Sequence, residues 1–248
     1  MKKVSIIIPV FNEKNYILET LRQIEALVLP GLEKEIIFVD DGSTDGSREI
    51  LSGLKDRAKI VLQPKNRGVG AAMRAGIGAA TGDYILRQDV DLEYAVSNIP
   101  GLLRPLIEGK ADAVYGSRVL GGHESHSKFY HACTIAVNFL FFNLLYWNRI
   151  YNFTTAAKAF RREVFGRITL VEDGFETESE ISAKLLRSGF RVVNVPILYK
   201  PRTYAEGKKM RWYYTFRILW TLVKYRFVPV HNYFEAREEH GVKYTHEE

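Results

Sequence analysis

Apolar and polar positions along the first 120 residues follow two alternating regimes. Short β-branched runs are each followed by a stretch with helical spacing. Lys3–Val10 (Lys-Val-Ser-Ile-Ile-Ile-Pro-Val) has little polar face and predicts a central parallel strand buried on both sides. Tyr16–Leu29 carries Ile17, Leu21, Ile24 and Leu27 at helical spacing. Glu35–Val39 predicts a second strand, and Ser47–Leu54 a helix with turn and capping residues before it. Lys59–Gln63 predicts a third strand, followed by a helix through Ala80 whose glycines and alanines permit close packing on a sheet. Asp83–Gln88 predicts a fourth strand, Ser97–Ile107 a helix with Pro100 in its first turn, and Ala111–Gly116 a fifth strand. Further on, Phe175–Glu178 opens a helix running to Arg187, and Arg191–Tyr199 reads as the last strand. The expected class is α/β: a doubly wound, mostly parallel sheet flanked by helices.

Two apolar segments do not fit that rhythm. Ala132–Asn148 carries no charge but is interrupted by Asn138 and Asn143. A spanning helix needs roughly 20 apolar residues; a core helix is one reading, but the run leaves little polar face, and a helix lying partly in a membrane interface is the expectation. In Arg211–Val228, Trp212, Phe216, Leu219, Val223 and Phe227 share one face, with Arg217 and Lys224 away from it. That face suits an anionic membrane surface or packing against the main domain, and the pattern leaves both open. The expected organisation is a domain over 1–210 that includes the apolar helix 132–148, an amphipathic helix over 211–228, and a charged tail over 229–248.

Candidate chemistry gathers where strands end. Asp89, Asp91 and Glu93 occupy alternating positions after the fourth strand. In an extended chain they would share one face. Three crowded carboxylates call for a cation, and Mg²⁺ or Mn²⁺ suits their hard oxygens. Phe11-Asn12-Glu13 follows the first strand, at the edge where open α/β sheets bind ligands. Asp40 and Asp41 end the second strand; helix capping accounts for Ser43–Asp45 but not for two adjacent acids there. Arg118 ends the fifth strand, ahead of a polar loop starting at Gly121. Glu176 and Glu178 read as acids suited to a helix N-terminus.

Composition narrows the field modestly. Across 248 residues, Lys and Arg exceed Asp and Glu by 35 − 29 = 6, which favours anionic partners. The single cysteine, Cys133, excludes an intrachain disulfide and a cysteine zinc cluster, and favours a reducing compartment. There is no Gly-x4-Gly-Lys-Ser/Thr phosphate loop, and Met73 breaks the third position of a dinucleotide fingerprint begun by Gly68-x-Gly70.

Taken together, Pro9-Val10-Phe11-Asn12-Glu13, Asp40-Asp41-Gly42-Ser43, Asn66-x-Gly68-x-Gly70 and Gln88-Asp89-Val90-Asp91 resemble the family 2 glycosyltransferases with the GT-A fold. Tyr115-Gly116-Ser117-Arg118, Phe175–Glu178, Pro201-Arg202-Thr203 and Glu206-Gly207-Lys208-Lys209 are similar to the dolichyl- and polyprenyl-phosphate sugar synthases, the dolichol-phosphate mannose synthases among them. The resemblance implies that Pro9, Phe11, Glu13 and Asp40 line a base and ribose pocket, with Asp41 beside it. It implies that Asp89, Asp91 and Glu93 hold Mg²⁺ or Mn²⁺ against the donor diphosphate, with Val90 between the first two. Arg118, Arg202 and Lys208 would bind phosphates, and Asp89, Asp91, Arg118 and Arg202 would carry catalysis. The implied partners are a GDP- or UDP-sugar, a polyprenyl phosphate and a membrane surface, with no nucleic acid. The implied place is the cytoplasmic face of a membrane, held peripherally. The chain departs from the pattern at Phe11, where tyrosine is usual, at Ala95-Val96, and at Ala156-Ala157. A phosphate monoester with a second pKa near ~6 is already a nucleophile at neutral pH, so such an acceptor needs no protein base. The alternatives are a family 2 enzyme acting on a hydroxyl acceptor and a catalytically silent sugar-nucleotide-binding protein.

Overall fold

The computed structural model describes residues 1–121, 144–147, 150, 153–202 and 214–229. In chain order these form β1 (Lys2–Val10), α1 (Ile17–Ala26), β2 (Leu32–Asp40), α2 (Ser47–Ser52), β3 (Lys59–Leu62), α3 (Val69–Ala79) and β4 (Tyr84–Arg87). A 3₁₀ turn (Val96–Asn98) leads into α4 (Ile99–Ile107). Then follow β5 (Ala113–Ser117), β6 (Lys158–Arg161), α5 (Val164–Arg167), α6 (Thr177–Arg187), β7 (Val192–Pro196) and α7 (Tyr214–Phe227). The strands form one seven-stranded sheet in the order β3-β2-β1-β4-β6-β5-β7.

Every ladder is parallel except those of β6, which runs antiparallel to β4 and to β5. Sequence pattern does not announce β6. Lys158-Ala159-Phe160-Arg161 has charge at both ends and no β-branched residue, so its strand state comes from its two neighbours rather than from propensity.

Two apolar layers cover the sheet. Alternate residues of β1 divide between them: Ile6 and Ile8 pack with α1, α2 and α4, while Ile7 packs with α3, α6 and α7. Helix α3 comes so close that a Cβ on Gly76 would lie 2.4 Å from Ile7 Cγ2. Its small residues therefore set the helix–sheet distance.

Helix α7 is apolar on two sides. Ile218, Thr221, Leu222 and Tyr225 are buried, and Ser179 Oγ donates 2.9 Å to the Ile218 carbonyl, tying α7 to α6. Phe216, Trp220 and Phe227 are exposed. Within the stripe Phe216–Leu219–Val223–Phe227, the end residues Phe216 and Phe227 are exposed while Leu219 is half-buried against the core, so the helix packs on the main domain and still presents aromatic side chains to solvent. Of the apolar run 132–148, only Leu144–Trp147 fall within the described residues. The tail from 230 onward lies outside them, as does Trp212. Among the described residues no helix is long and apolar enough to cross a membrane.

Candidate active site

Strand order places β1 between β2 and β4, so chain connections diverge to either side of β1. A crevice outside the carboxyl ends of β1 and β4 is where such sheets bind ligands. Three loops meet there: 11–13 after β1, 88–94 after β4, and 198–202 after β7.

The 88–94 loop is a turn, which corrects the expectation of an extended acidic run. Leu92 takes a left-handed φ of +58°, a conformation that costs a branched L-residue of the order of 1–2 kcal/mol. The turn is pinned around it. Thr20 Oγ1 donates to the Val90 carbonyl at 2.7 Å, and Gln88 Nε2 donates to the carbonyls of Asp89 (3.0 Å) and Tyr94 (2.8 Å). Asp91 Oδ1 accepts the Glu93 amide at 3.1 Å. Asn12, in the 11–13 loop, is also left-handed at φ +51°.

The acids in this turn have separate partners. Asp89 Oδ1 accepts from Arg87 Nε at 2.9 Å. Asp91 Oδ2 meets Arg202 Nη2. Glu93 accepts the Tyr199 hydroxyl at 2.8 Å and the Arg202 amide at 2.9 Å. Among the described residues no three acids, histidines or cysteines gather closely enough to form a metal site by themselves. In this arrangement Glu93 is engaged by Tyr199 and Arg202, Asp91 by Arg202, and Asp89 by Arg87.

Arg202 is the hub of the crevice. Its guanidinium reaches Glu13 Oε2 at 3.1 Å and Glu13 Oε1 at 3.2 Å, meets Asp91, and lies 3.6 Å from Glu93. It also lies over the Tyr16 ring, 5.3 Å from its centroid. Burial works against its charge, but Glu13 and Asp91 outweigh it and hold Arg202 protonated more firmly than an ordinary arginine. The Asp91 carboxyl is pushed up to about 7 by burial and by the charge of Asp89, with Arg202 opposing the rise. The arginine does not cancel all the negative charge collected there.

Arg118 stands beside this cluster. Its guanidinium stacks on Tyr199, 4.9 Å from the ring centroid, and Tyr199 lies 4.9 Å from Tyr94. Asp40 and Asp41 have local partners. Asp40, fully buried, accepts the Gly42 and Ser43 amides and Arg48 Nε at 2.9 Å. Asp41 accepts the amides of Arg67 at 2.9 Å and Gly68 at 2.8 Å, fixing the loop that opens α3. Burial raises the Asp41 carboxyl despite those two amides. Pro9 lies in β1 opposite Val39, and Phe11 is half-buried at the strand's end. Val90 is buried in the turn. Lys208 lies outside the described residues.

Sequence reasoning missed a buried ionic chain under the crevice. Arg87, at the end of β4, donates to both Asp89 and Glu178; Glu178 also receives Lys158 of β6. Helix-N-terminus chemistry, the reading made for Glu178, does not describe it: the side chain turns inward to two cations. A charged Arg87 closing the apolar run Tyr84-Ile85-Leu86 was the available signal, since arginine is rarely buried unpaired.

The model of the family described as glycosyl transferase family 2 matches residues 5–169, which include both acid-bearing loops of β1 and β4. The chain belongs to this family. Among its family 2 relatives, the dolichol-phosphate mannosyltransferase of Pyrococcus furiosus is 31% identical over 212 residues, covering 83% of this chain and 59% of that protein. The undecaprenyl-phosphate 4-deoxy-4-formamido-L-arabinose transferase of Klebsiella pneumoniae is 37% identical over 114 residues, covering 44% of this chain and 35% of that one. The chain thus spans less than two thirds of the length of each of these two relatives. Among solved structures, glucosyl-3-phosphoglycerate synthase from Mycobacterium tuberculosis, in complex with Mn²⁺, UDP and glucosyl-3-phosphoglycerate, superposes with a TM-score of 0.67 at 20% identity. The match covers 92% of this chain and 81% of that one. The GT-A sheet architecture expected from the sequence is the observed one.

Proposed function

We propose that this family 2 protein transfers a sugar from a nucleotide-sugar donor, a GDP- or UDP-sugar, to a polyprenyl phosphate, with inversion at the sugar carbon. One observation carries the reading. The acids at the ends of β1 and β4 are ion-paired: Glu13, Asp91 and Glu93 with Arg202, and Asp89 with Arg87. This pairing supports an acceptor that brings its own anionic oxygen rather than one that needs a protein base. The relatives' names, which specify dolichol phosphate and undecaprenyl phosphate, support the same acceptor class.

The reaction needs one bond made and one broken. An acceptor phosphate oxygen bonds to the anomeric carbon as the bond from that carbon to the diphosphate oxygen breaks. The electron pair leaves with the nucleoside diphosphate. Arg118 and Arg202, each able to grip phosphate with two parallel hydrogen bonds, would hold the charged groups in line. Asp40, Asp41, Pro9, Phe11 and Glu13 border the side where base and ribose would lie.

The residues fit a divalent cation in donor chemistry. Asp89 and Asp91 offer hard carboxylate oxygens on one turn, and burial together with the charge of Asp89 raises the Asp91 carboxyl. Mg²⁺ or Mn²⁺ held by these two residues would neutralise the departing diphosphate. We further propose peripheral attachment at the cytoplasmic membrane surface. The exposed Phe216, Trp220 and Phe227 on α7, flanked by Arg217 and Lys224, support it.

The test offers radiolabelled GDP- and UDP-sugars with polyprenyl phosphate in detergent and counts label in the organic phase, with Mg²⁺, Mn²⁺ or EDTA. Metal-dependent transfer to the lipid is expected. Label moving only to hydroxyl acceptors would overturn the proposal.

A further inference from the structure

The ionic chain beneath the crevice contains an arrangement that a sheet ordinarily avoids. Arg87 and Lys158 are direct cross-strand partners in the antiparallel β4–β6 ladder. Like charges directly opposite one another destabilise a strand pair. Both side chains are buried, with relative exposures of 8% and 2%. Glu178 resolves the conflict from α6, giving one carboxylate oxygen to each cation.

Glu178 is itself tightly set. Its carbonyl accepts the Ser182 hydroxyl at 2.7 Å, and Ser182 lies 2.9 Å from the Tyr115 hydroxyl. The Tyr115 ring lies 4.7 Å from Lys158 Nζ, and that amine also donates 2.8 Å to the Phe153 carbonyl. Strands β4 and β6 thus meet at one carboxylate carried by α6. The far end of the chain is Asp89, which takes the other side of the Arg87 guanidinium.

We propose that Glu178 is a positioning residue that keeps Asp89 available to the donor's metal by absorbing the positive charge of Lys158 and engaging the Nη1 side of Arg87. This rests on Asp89 serving the metal as proposed above. With Glu178 present, the two cations face two anions. Without its charge, Asp89 becomes the nearest anion to both Arg87 and Lys158. It is then drawn toward the sheet and its charge is spent on them.

The variants are Glu178→Gln, which keeps shape and removes charge, and Glu178→Gln combined with Lys158→Met, which removes the surplus cation as well. Mn²⁺ binding is measured by electron paramagnetic resonance titration in the presence of UDP or GDP, and folding by thermal unfolding. Residues supporting a metal ligand typically change metal affinity by about 10–100-fold when altered. Glu178→Gln is expected to weaken Mn²⁺ binding within that range. The double variant is expected to recover most of the loss, and it also serves if the single variant folds poorly. Wild-type Mn²⁺ affinity in folded Glu178→Gln would overturn the proposal. So would a folded double variant no better than the single one, since shape rather than charge would then be at issue. If the wild type binds no Mn²⁺ with either nucleotide, the proposed function fails first and this inference falls with it.

Discussion

Replacing Arg202 by methionine tests the electrostatics of the crevice most directly. The guanidinium has an exposure of only 11% and faces Glu13 and Asp91, exposed 8% and 15%. Removing one partner of a buried ion pair typically costs about 3–5 kcal/mol, because the abandoned charge stays buried. For a chain of 248 residues this corresponds to a fall in melting temperature of roughly 6–20 °C. The assay is thermal unfolding followed by circular dichroism in EDTA. Two rescues should follow. Mn²⁺ should restore more stability to the variant than to the wild type, since it supplies the missing positive charge. Acid should also help. The folded Asp91 carboxyl sits at about 7 against 3.8 when unfolded, so its stabilising contribution is full below 3.8 and is lost as pH rises through about 7. Without the opposing Arg202 that window moves upward, so metal-free Arg202→Met should be more stable at mildly acidic than at mildly alkaline pH. Arg202→Lys should lie between, because one ammonium cannot reproduce the fork that reaches Glu13 twice and Asp91 as well. If Arg202→Met melts with the wild type, the guanidinium is not what neutralises this cluster, and the reasoning fails.

Other consequences follow from the same geometry. Asp91→Ala should abolish transfer, and EDTA should do the same to the wild type reversibly on adding Mg²⁺ or Mn²⁺; full activity in EDTA would remove the metal from the mechanism. Phe216→Ser with Trp220→Ser should reduce co-sedimentation with anionic liposomes while leaving the melting temperature nearly unchanged, because both side chains are exposed; equal sedimentation would clear α7 of a membrane role. Gly70→Ala should destabilise the fold by about 1–3 kcal/mol in denaturant titration, since the new Cβ would stand 2.2 Å from the Glu172 carbonyl and break the Gly70 amide bond to Asp173.

The α/β class, the strand-to-helix alternation through β5 and the strand ends bearing acids were legible in the chain. Hydrophobic periodicity is a local property, and buried parallel strands announce themselves as unbroken β-branched runs. Short polar loops after such strands carry the candidate residues, so Glu13, Asp40, Asp41, Asp89 and Asp91 could be nominated by position alone. What those carboxylates face could not. Glu13 and Arg202 stand 189 positions apart, and Arg87 and Glu178 stand 91 apart. The chain turns at Leu92 where spacing alone suggests an extended run, since a left-handed leucine is held by surrounding contacts rather than by its own preference. β6 is a strand because β4 and β5 lie on either side of it, and α7 packs with the face that fits α6. Charge pairing and packing depend on distance in space, and only the closed fold brings the partners of these side chains within reach.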